Sequence, residues 1–322
     1  MKAFITGITG FAGSHLAEHL LECGDEVIGC SRSGYWKKDA PAVLVRGVPV
    51  MRWDVARAAP TVAKQRLAAF APECVYHLAA ISVPKDCGEA QPNQQAWAVN
   101  VEGTSAVIEV LASLPQRPRM LLASSCHVYA PVTRQRPVVR EDAPLGPSGG
   151  YGKTKLAAEQ VLVHAVQRGE VDGVIARTFK HTGPRQNPRM MLPEWCIQIA
   201  RGGSEPLHVL NLDSYFDLTD VRDVVRAYRM LAIQGQPAEA YNVGSGVCRR
   251  SGDVVEQLRR VAGVDRRVVE LEPGIRQEPI ADISRLRRLT GWRPEIPLEQ
   301  TLAHTLAYWK RHGGRVHQPP EP

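Results

Sequence analysis

The feature that most constrains this chain lies in its first thirteen residues. There Gly7-Ile8-Thr9-Gly10-Phe11-Ala12-Gly13 separates a strand-like run, Met1–Thr6, from a helical pattern. Glycines spaced three apart at a strand-to-helix turn let backbone N–H groups close on a pyrophosphate. The helix that begins there directs its positive N-terminal end at the same anion. The usual dinucleotide fingerprint is G-x-G-x-x-G, so this spacing is a variant, and a simple connecting turn can also be glycine-rich. Read as a phosphate cradle, it predicts a parallel α/β sheet with its ligand at the carboxyl ends of the strands.

Strands are expected at Glu26–Cys30, Val48–Trp53, Cys74–Leu78, Arg119–Ser124 and Val171–Arg177, with helices at Ser14–Glu22, Thr61–Phe70, Ala96–Leu114 and Tyr151–Gln167. This alternation predicts a doubly wound parallel sheet with helices on both faces. After Phe179 the periodicity becomes irregular. Helical stretches at Pro193–Arg201, Asp220–Ile233, Ser251–Ala262 and Leu298–Arg311 mix with short strands at Leu207–Leu210 and Ala240–Val243. The change of texture predicts a smaller C-terminal α/β lobe. The expected division is a dinucleotide-binding domain at 1–178, rejoined by about 217–245, and a lobe made of 179–216 and 246–322. Gly7–Gly13, Ser124–Tyr129 and Arg177–Pro184 are expected to converge. The Gly/Pro-rich tail from Arg311 is expected to fray.

With 322 residues, 44% of them hydrophobic, the chain can bury a large core. No apolar run approaches the roughly 18 residues of a membrane span, and Lys2 leads straight into the first strand without a signal-peptide pattern. Seven cysteines with no C-x-x-C pair fit reduced thiols in a cytoplasmic protein better than disulfides or a metal site. A net charge of +7 raises nucleic-acid binding, but the 40 Lys and Arg are spread along the chain with no dense basic stretch. Diffuse positive charge equally suits polyanionic small molecules. The expected partner is therefore a small molecule, with no nucleic acid, membrane or metal.

Tyr151 and Lys155 form a Y-x-x-x-K pair that shares one helix face. A nearby ammonium favours a tyrosinate, which is expected to lower the phenol pKa from about 10 toward the range of a general acid/base. On its own the pair is commonplace. Its placement is informative, because it opens a helix one loop downstream of Ser124–Ser125 at the end of the fifth strand.

Serine, tyrosine and lysine in this order, after an N-terminal glycine turn, resemble the catalytic set of the short-chain dehydrogenases/reductases. The likeness is to the extended branch, the nucleotide-sugar epimerases, dehydratases and reductases, and it runs from Lys2 to about Trp309. YHLAA at Tyr76–Ala80, NVEGT at Asn100–Thr104, SSCHVYA at Ser124–Ala130 and YGKTK at Tyr151–Lys155 match successive family blocks. RTFKHTGP at Arg177–Pro184, DLTDVRDVVRAY at Asp217–Tyr228, YNVGSG at Tyr241–Gly246 and TGWRP at Thr290–Pro294 continue the series. Within the branch the chain is most similar to the GDP-4-keto-6-deoxy-D-mannose reductases and GDP-mannose 4,6-dehydratases. The dehydratases carry a Glu two residues after their catalytic Thr. Here His127 holds that place, which disfavours dehydration.

The resemblance implies Ser125, Tyr151 and Lys155 as catalytic residues. It implies cofactor contacts from Gly7, Thr9, Gly10, Phe11, Ala12 and Gly13 in the turn and from Ser31, Arg32, Asp54 and Val55 after the next two strands. Leu78, Ala79, Ala80, Asn100, Tyr151, Lys155 and Phe179 complete that set. Substrate contacts are implied for Ser82, His127, Lys180, Arg185, Phe216 and Arg276. Lys180 stands where the family usually has Asn, and Phe216 where the reductases usually have an Arg for substrate phosphate; His181 is read as a hydrogen-bonded loop residue. After the second strand an acid would bind the ribose diol of NAD and repel a 2′-phosphate. The chain has Cys30-Ser31-Arg32-Ser33 instead, so NADP (as NADPH) is expected ahead of NAD.

The implied activity is NADPH-dependent reduction of a GDP-linked 4-keto-6-deoxy sugar by a homodimer built on the helices around Ala96–Leu114 and Tyr151–Gln167. Two alternatives stand beside it. One is a nucleotide-sugar 4-epimerase with tightly held NAD. The other is a non-catalytic NADP-binding sensor, which needs the glycine turn but not the serine, tyrosine and lysine together.

Overall fold

Strand-forming runs of Val, Ile, Leu, Met and Ala that are buried on both faces assemble the core of this protein. In Lys2–Thr6, Arg119–Ser125 and Asp172–Thr178 nearly every side chain is inaccessible, as expected of a parallel sheet covered by helices. The computed structural model describes residues 1–313; the expectation for the tail beyond Gly313 lies outside the described residues. Seven strands form one sheet in the spatial order Ala240–Val243, Asp172–Thr178, Arg119–Ser125, Cys74–His77, Lys2–Thr6, Glu26–Ser31 and Val50–Arg52. Every pairing is parallel. The chain order reverses between Lys2–Thr6 and Cys74–His77, the switch point at which such sheets bind ligands.

Helices cover both faces. On one, Leu16 and Leu20 of the glycine-turn helix (Phe11–Glu22) pack with Val224 and Leu231 of the helix Val221–Gln234. On the other, Leu67, Val107, Leu111 and Leu162 fill a second core. The helix expected over Ala96–Leu114 is three pieces. Gln94–Trp97 and Gly103–Ala112 are α-helical, and Ala98–Glu102 between them is a π-helical turn. Such a turn adds one residue to the helix and re-aims its side chains, a device found at functional positions. Asn100 is at its centre.

The second sheet centres on Ser214–Asp220, which the sequence reading missed because its side chains are largely polar. That strand pairs antiparallel with Cys248–Arg250 and parallel with Arg276–Gln277 and Lys180–Thr182. Its buried polar groups are satisfied: Asp217 accepts from Ser245 N, Ser245 Oγ, Gly246 N and Ala281 N. Helices Met191–Ala200, Ser251–Ala262 and Leu298–Arg311 bury Trp195, Leu258 and Trp309 against Phe216 and Leu218. Leu286 and Trp292, from a stretch expected in the smaller lobe, pack instead into the first core. No described helix is long and apolar enough to cross a membrane. The seven cysteines are unpaired, and no cluster of metal-ligating side chains occurs among the described residues.

Candidate active site

The glycine turn is shaped for close backbone approach. Gly7 has φ +68°, and a Cβ there would lie 2.9 Å from Ala79 Cα; a Cβ on Gly13 would collide with the Gly7 carbonyl. Gly10 caps the Phe11–Glu22 helix, whose first turn carries no acidic side chain. Thr9, Phe11 and Ala12 are partly exposed there, and Phe11 stacks on His181 at 5.7 Å. His181 donates from Nδ1 to the Phe179 carbonyl, 3.0 Å away, as a satisfied loop residue. This stack joins the turn to the Arg177–Pro184 segment.

A buried polar chain runs from the turn to Tyr151. Thr6 Oγ1 accepts from Leu78 N and Ala79 N and lies 2.8 Å from His77 Nδ1. His77 Nε2 is 3.1 Å from Thr104 Oγ1, which donates to the Asn100 carbonyl. The Asn100 side chain accepts from Ile81 N and donates to Ile81 O and to Thr154 Oγ1, which donates to the Tyr151 carbonyl. Asn100 thus holds the Ala80–Ser82 loop and the Tyr151 helix (Gly150–Gln167) together. Burial holds His77 down at about 3, so it is neutral.

At the adenosine end expected of a dinucleotide, Arg32 and Asp54 line a cavity of about 740 Å³ together with Arg52, Arg57 and Arg66. Ser31 is turned inward, where its hydroxyl accepts from Gly34 N at 3.1 Å. Val55 is buried against Gly103. The residues present fit a dinucleotide: a cradle that any Cβ would fill, a helix N-terminus, and guanidinium groups with no acid after the second strand.

The three side chains expected to react lie at the end of the fifth strand. The Ser125 side chain stands close enough to the Tyr151 phenol to influence its pKa, and its Oγ accepts from His127 N at 3.2 Å. A Cβ on Gly152 would overlap the His127 carbonyl oxygen, so the glycine permits this approach. Lys155 Nζ donates to the Ala123 carbonyl at 2.9 Å and lies 6.0 Å from the Tyr151 ring centre. Burial lowers Lys155 to about 8. The phenol corrects the sequence expectation: burial pushes its pKa up, and neighbouring Ser125 only partly opposes this. Desolvation dominates the phenol, while the Lys155 ammonium is turned to the Ala123 carbonyl.

Behind these groups lies a buried ion pair that the sequence reading missed. Glu159 accepts from Ser124 Oγ and from Arg177, the shortest guanidinium contact being 2.8 Å. Arg177 also donates to Tyr129 Oη and the Glu141 carbonyl. Tyr151, Lys155 and Glu159 fall at i, i+4 and i+8 on one helix face, a periodicity that would have exposed Glu159.

On the substrate side the structure sorts the expected contacts. Lys180 donates to Glu278 at 2.6 Å, and His127 sits with its ring 5.6 Å from that of Tyr151. Ser82 is exposed. Arg276 pairs with Glu272 at 2.6 Å. Two of these, and Phe179 from the expected cofactor contacts, are engaged elsewhere. Arg185 is committed to Glu18 and to His15 Nδ1 of the glycine-turn helix, which ties it away from a substrate cleft. Phe216 is buried in the third core, and Phe179 packs on Tyr129 at 6.4 Å in a small core of its own. Glu278, which no motif marked, is brought to Lys180 only by the pairing of the second sheet.

Residues 3–244 match the model of the NAD dependent epimerase/dehydratase family. The chain is 28% identical to GDP-6-deoxy-D-mannose reductase of Pseudomonas aeruginosa, over 96% of this chain and 97% of that protein. It is also 28% identical to UDP-glucose 4-epimerase of Streptomyces lividans, over 91% of each. The solved structure of RMD from Pseudomonas aeruginosa complexed with NADPH superposes with a TM-score of 0.80 at 25% identity, covering 97% of this chain and 98% of that one. With its glycine cradle at the switch point and its serine, tyrosine and lysine gathered beside it, the chain belongs to the NAD dependent epimerase/dehydratase family.

Proposed function

We propose that this protein uses NADPH to reduce the keto group of a nucleotide-activated 4-keto-6-deoxy sugar, GDP-linked by its similarity to the Pseudomonas reductase. The observation that carries the reading is Ser125 beside the Tyr151 phenol, with Lys155 one turn further along the same helix. Two neighbouring hydroxyls can both donate to one carbonyl oxygen. As that oxygen gains negative charge, Tyr151 gives up its proton to it and Ser125 stabilises it by hydrogen bonding, a preorganised arrangement. A phenol of ordinary pKa, about 10, is protonated at neutral pH, and burial moves Tyr151 further in that direction, as proton donation requires. Oxidation of an alcohol, the opening step of an epimerase, would need the tyrosinate instead.

The Gly7–Gly13 turn and the helix N-terminus would hold the pyrophosphate of the cofactor, and Arg32 a 2′-phosphate. Bound NADPH supplies the hydride. The arginine-lined cavity supports NADPH over NADH. A 4-epimerase with tightly held NAD is favoured by one observation, the equal identity to the Streptomyces enzyme; protein that purifies with stoichiometric NAD would decide for it.

The test is NADPH oxidation with a panel of nucleotide 4-keto sugars, with products identified by mass spectrometry. Tyr151→Phe should still bind NADPH but turn over on the order of 10²–10⁴-fold more slowly. Near-normal turnover by that variant refutes the assignment.

A further inference from the structure

The Lys180–Glu278 pair takes no part in the proton and hydride chemistry, yet it stands beside it. Lys180 Nζ is 2.6 Å from Glu278 Oε1 and 4.7 Å from the centre of the Phe216 ring. The two side chains are 30% and 29% exposed, so the pair faces open space and not the core. Its charges act on His127, whose ring adjoins Tyr151. Strand Ser214–Asp220 builds the pair by holding Lys180–Thr182 and Arg276–Gln277 alongside it, with Glu278 N donating to the Tyr215 carbonyl at 2.9 Å.

We propose that the Lys180–Glu278 pair is a specificity filter that accepts neutral sugar rings through their hydroxyls and rejects uronates. The inference rests on the nucleotide-sugar reading above. The Lys180 charge is already matched by Glu278, and its underside is covered by the Phe216 ring. An incoming sugar carboxylate therefore finds Lys180 already matched and meets the Glu278 carboxylate. A hydroxyl suits both halves, because it can accept from Lys180 and donate to Glu278, whose Oε2 has no partner among the described residues. Repulsion built against the wrong ligand is how a site separates two otherwise similar molecules. Arg276, the other cation expected at the substrate, is likewise neutralised, by Glu272.

The test is calorimetric binding to the full chain with NADP present, using UDP-glucose against UDP-glucuronate and GDP-mannose against GDP-mannuronate. In at least one pair the wild type should bind the neutral member tenfold or more tightly than the uronate. Glu278→Gln frees the Lys180 charge and should bring that ratio to about one or invert it. Lys180→Gln leaves the carboxylate alone and should widen the ratio. Opposite shifts in two variants of one ion pair cannot arise from simple loss of folding. A wild type that binds the uronate as well as the neutral sugar overturns the filter, as do variants that keep the wild-type ratio. Failure of every nucleotide sugar to bind overturns the filter together with the reading beneath it. The expected preference without any NADPH turnover sinks the reductase assignment alone.

Discussion

Replacing Lys155 with methionine should abolish turnover and yet make the protein harder to unfold. The lysine is 6% exposed, and burial holds its pKa at about 8 against an ordinary 10.5. At roughly 1.4 kcal/mol per tenfold change, that gap is a native-state cost of about 3 kcal/mol at pH 7. Methionine has similar length and no charge to desolvate. It leaves the Ala123 carbonyl without its 2.9 Å donor, which returns about 1–2 kcal/mol. The expected net gain is therefore about 1–2 kcal/mol. The pH dependence has a definite sign. The folded protein releases the Lys155 proton near pH 8 and the unfolded chain near 10.5. Between those values the unfolded chain holds more protons, so wild-type stability from this group rises with pH. Urea unfolding of both ligand-free proteins from pH 7 to 10 measures it. Buried thiols such as Cys30 and Cys74, raised to about 12, are common to both proteins and cancel in the difference. The variant's advantage should be largest at pH 7 and shrink toward pH 10. A variant less stable than wild type at pH 7, or an advantage that ignores pH, refutes the claim that the ammonium is held against its burial.

Three further outcomes follow from the same geometry. Arg32→Glu should lower the preference for NADPH over NADH by at least about tenfold, the worth of one charge-assisted hydrogen bond, read from the ratio of KM values. Gly152→Ala places a Cβ on the His127 carbonyl; backbone cannot yield there as a flexible side chain would, so a loss of about 1–3 kcal/mol is expected in urea unfolding. Arg177→Met strands Glu159 as a buried, unpaired carboxylate and should cost about 3–5 kcal/mol. Adding Glu159→Gln to that variant should recover part of the loss, since the charge is then gone.

What the sequence disclosed was what neighbours in the chain determine. The glycine turn, the alternation of strand and helix, and the Tyr151–Lys155 spacing are all local, and each placed its residues at the carboxyl edge of the sheet. What stayed hidden depends on distant segments. Glu278 meets Lys180 across nearly a hundred residues, and Arg185 is captured by a helix near the N-terminus. The Ser214–Asp220 strand escaped notice because its buried Asp217 is satisfied by donors from Ser245–Gly246 and Ala281, and no local hydrophobic alternation reports such pairing. The direction of the Tyr151 shift was misjudged for the same reason: spacing reveals the ammonium one turn away, but only the folded packing reveals desolvation.

The π-helical turn at Asn100 and the neutral state of His77 belong to one physical argument. Asn100 spends both ends of its amide, binding Ile81 through N and O and donating to Thr154. Thr154 and Thr104 each spend their proton on a backbone carbonyl, Tyr151 and Asn100 respectively. Thr104 Oγ1 can therefore only accept from His77, which puts the imidazole proton on Nε2 and leaves Nδ1 as an acceptor for Thr6. Every donor in the chain from Thr6 to Tyr151 then has one direction. A second proton on His77 would set a donor against the Thr6 hydroxyl, which already receives two backbone N–H groups. Burial excludes that proton down to about pH 3. The chain couples the position of the glycine turn to that of Tyr151, and the π-helical turn at Ala98–Glu102 carries the Asn100 that bonds both Ile81 and Thr154.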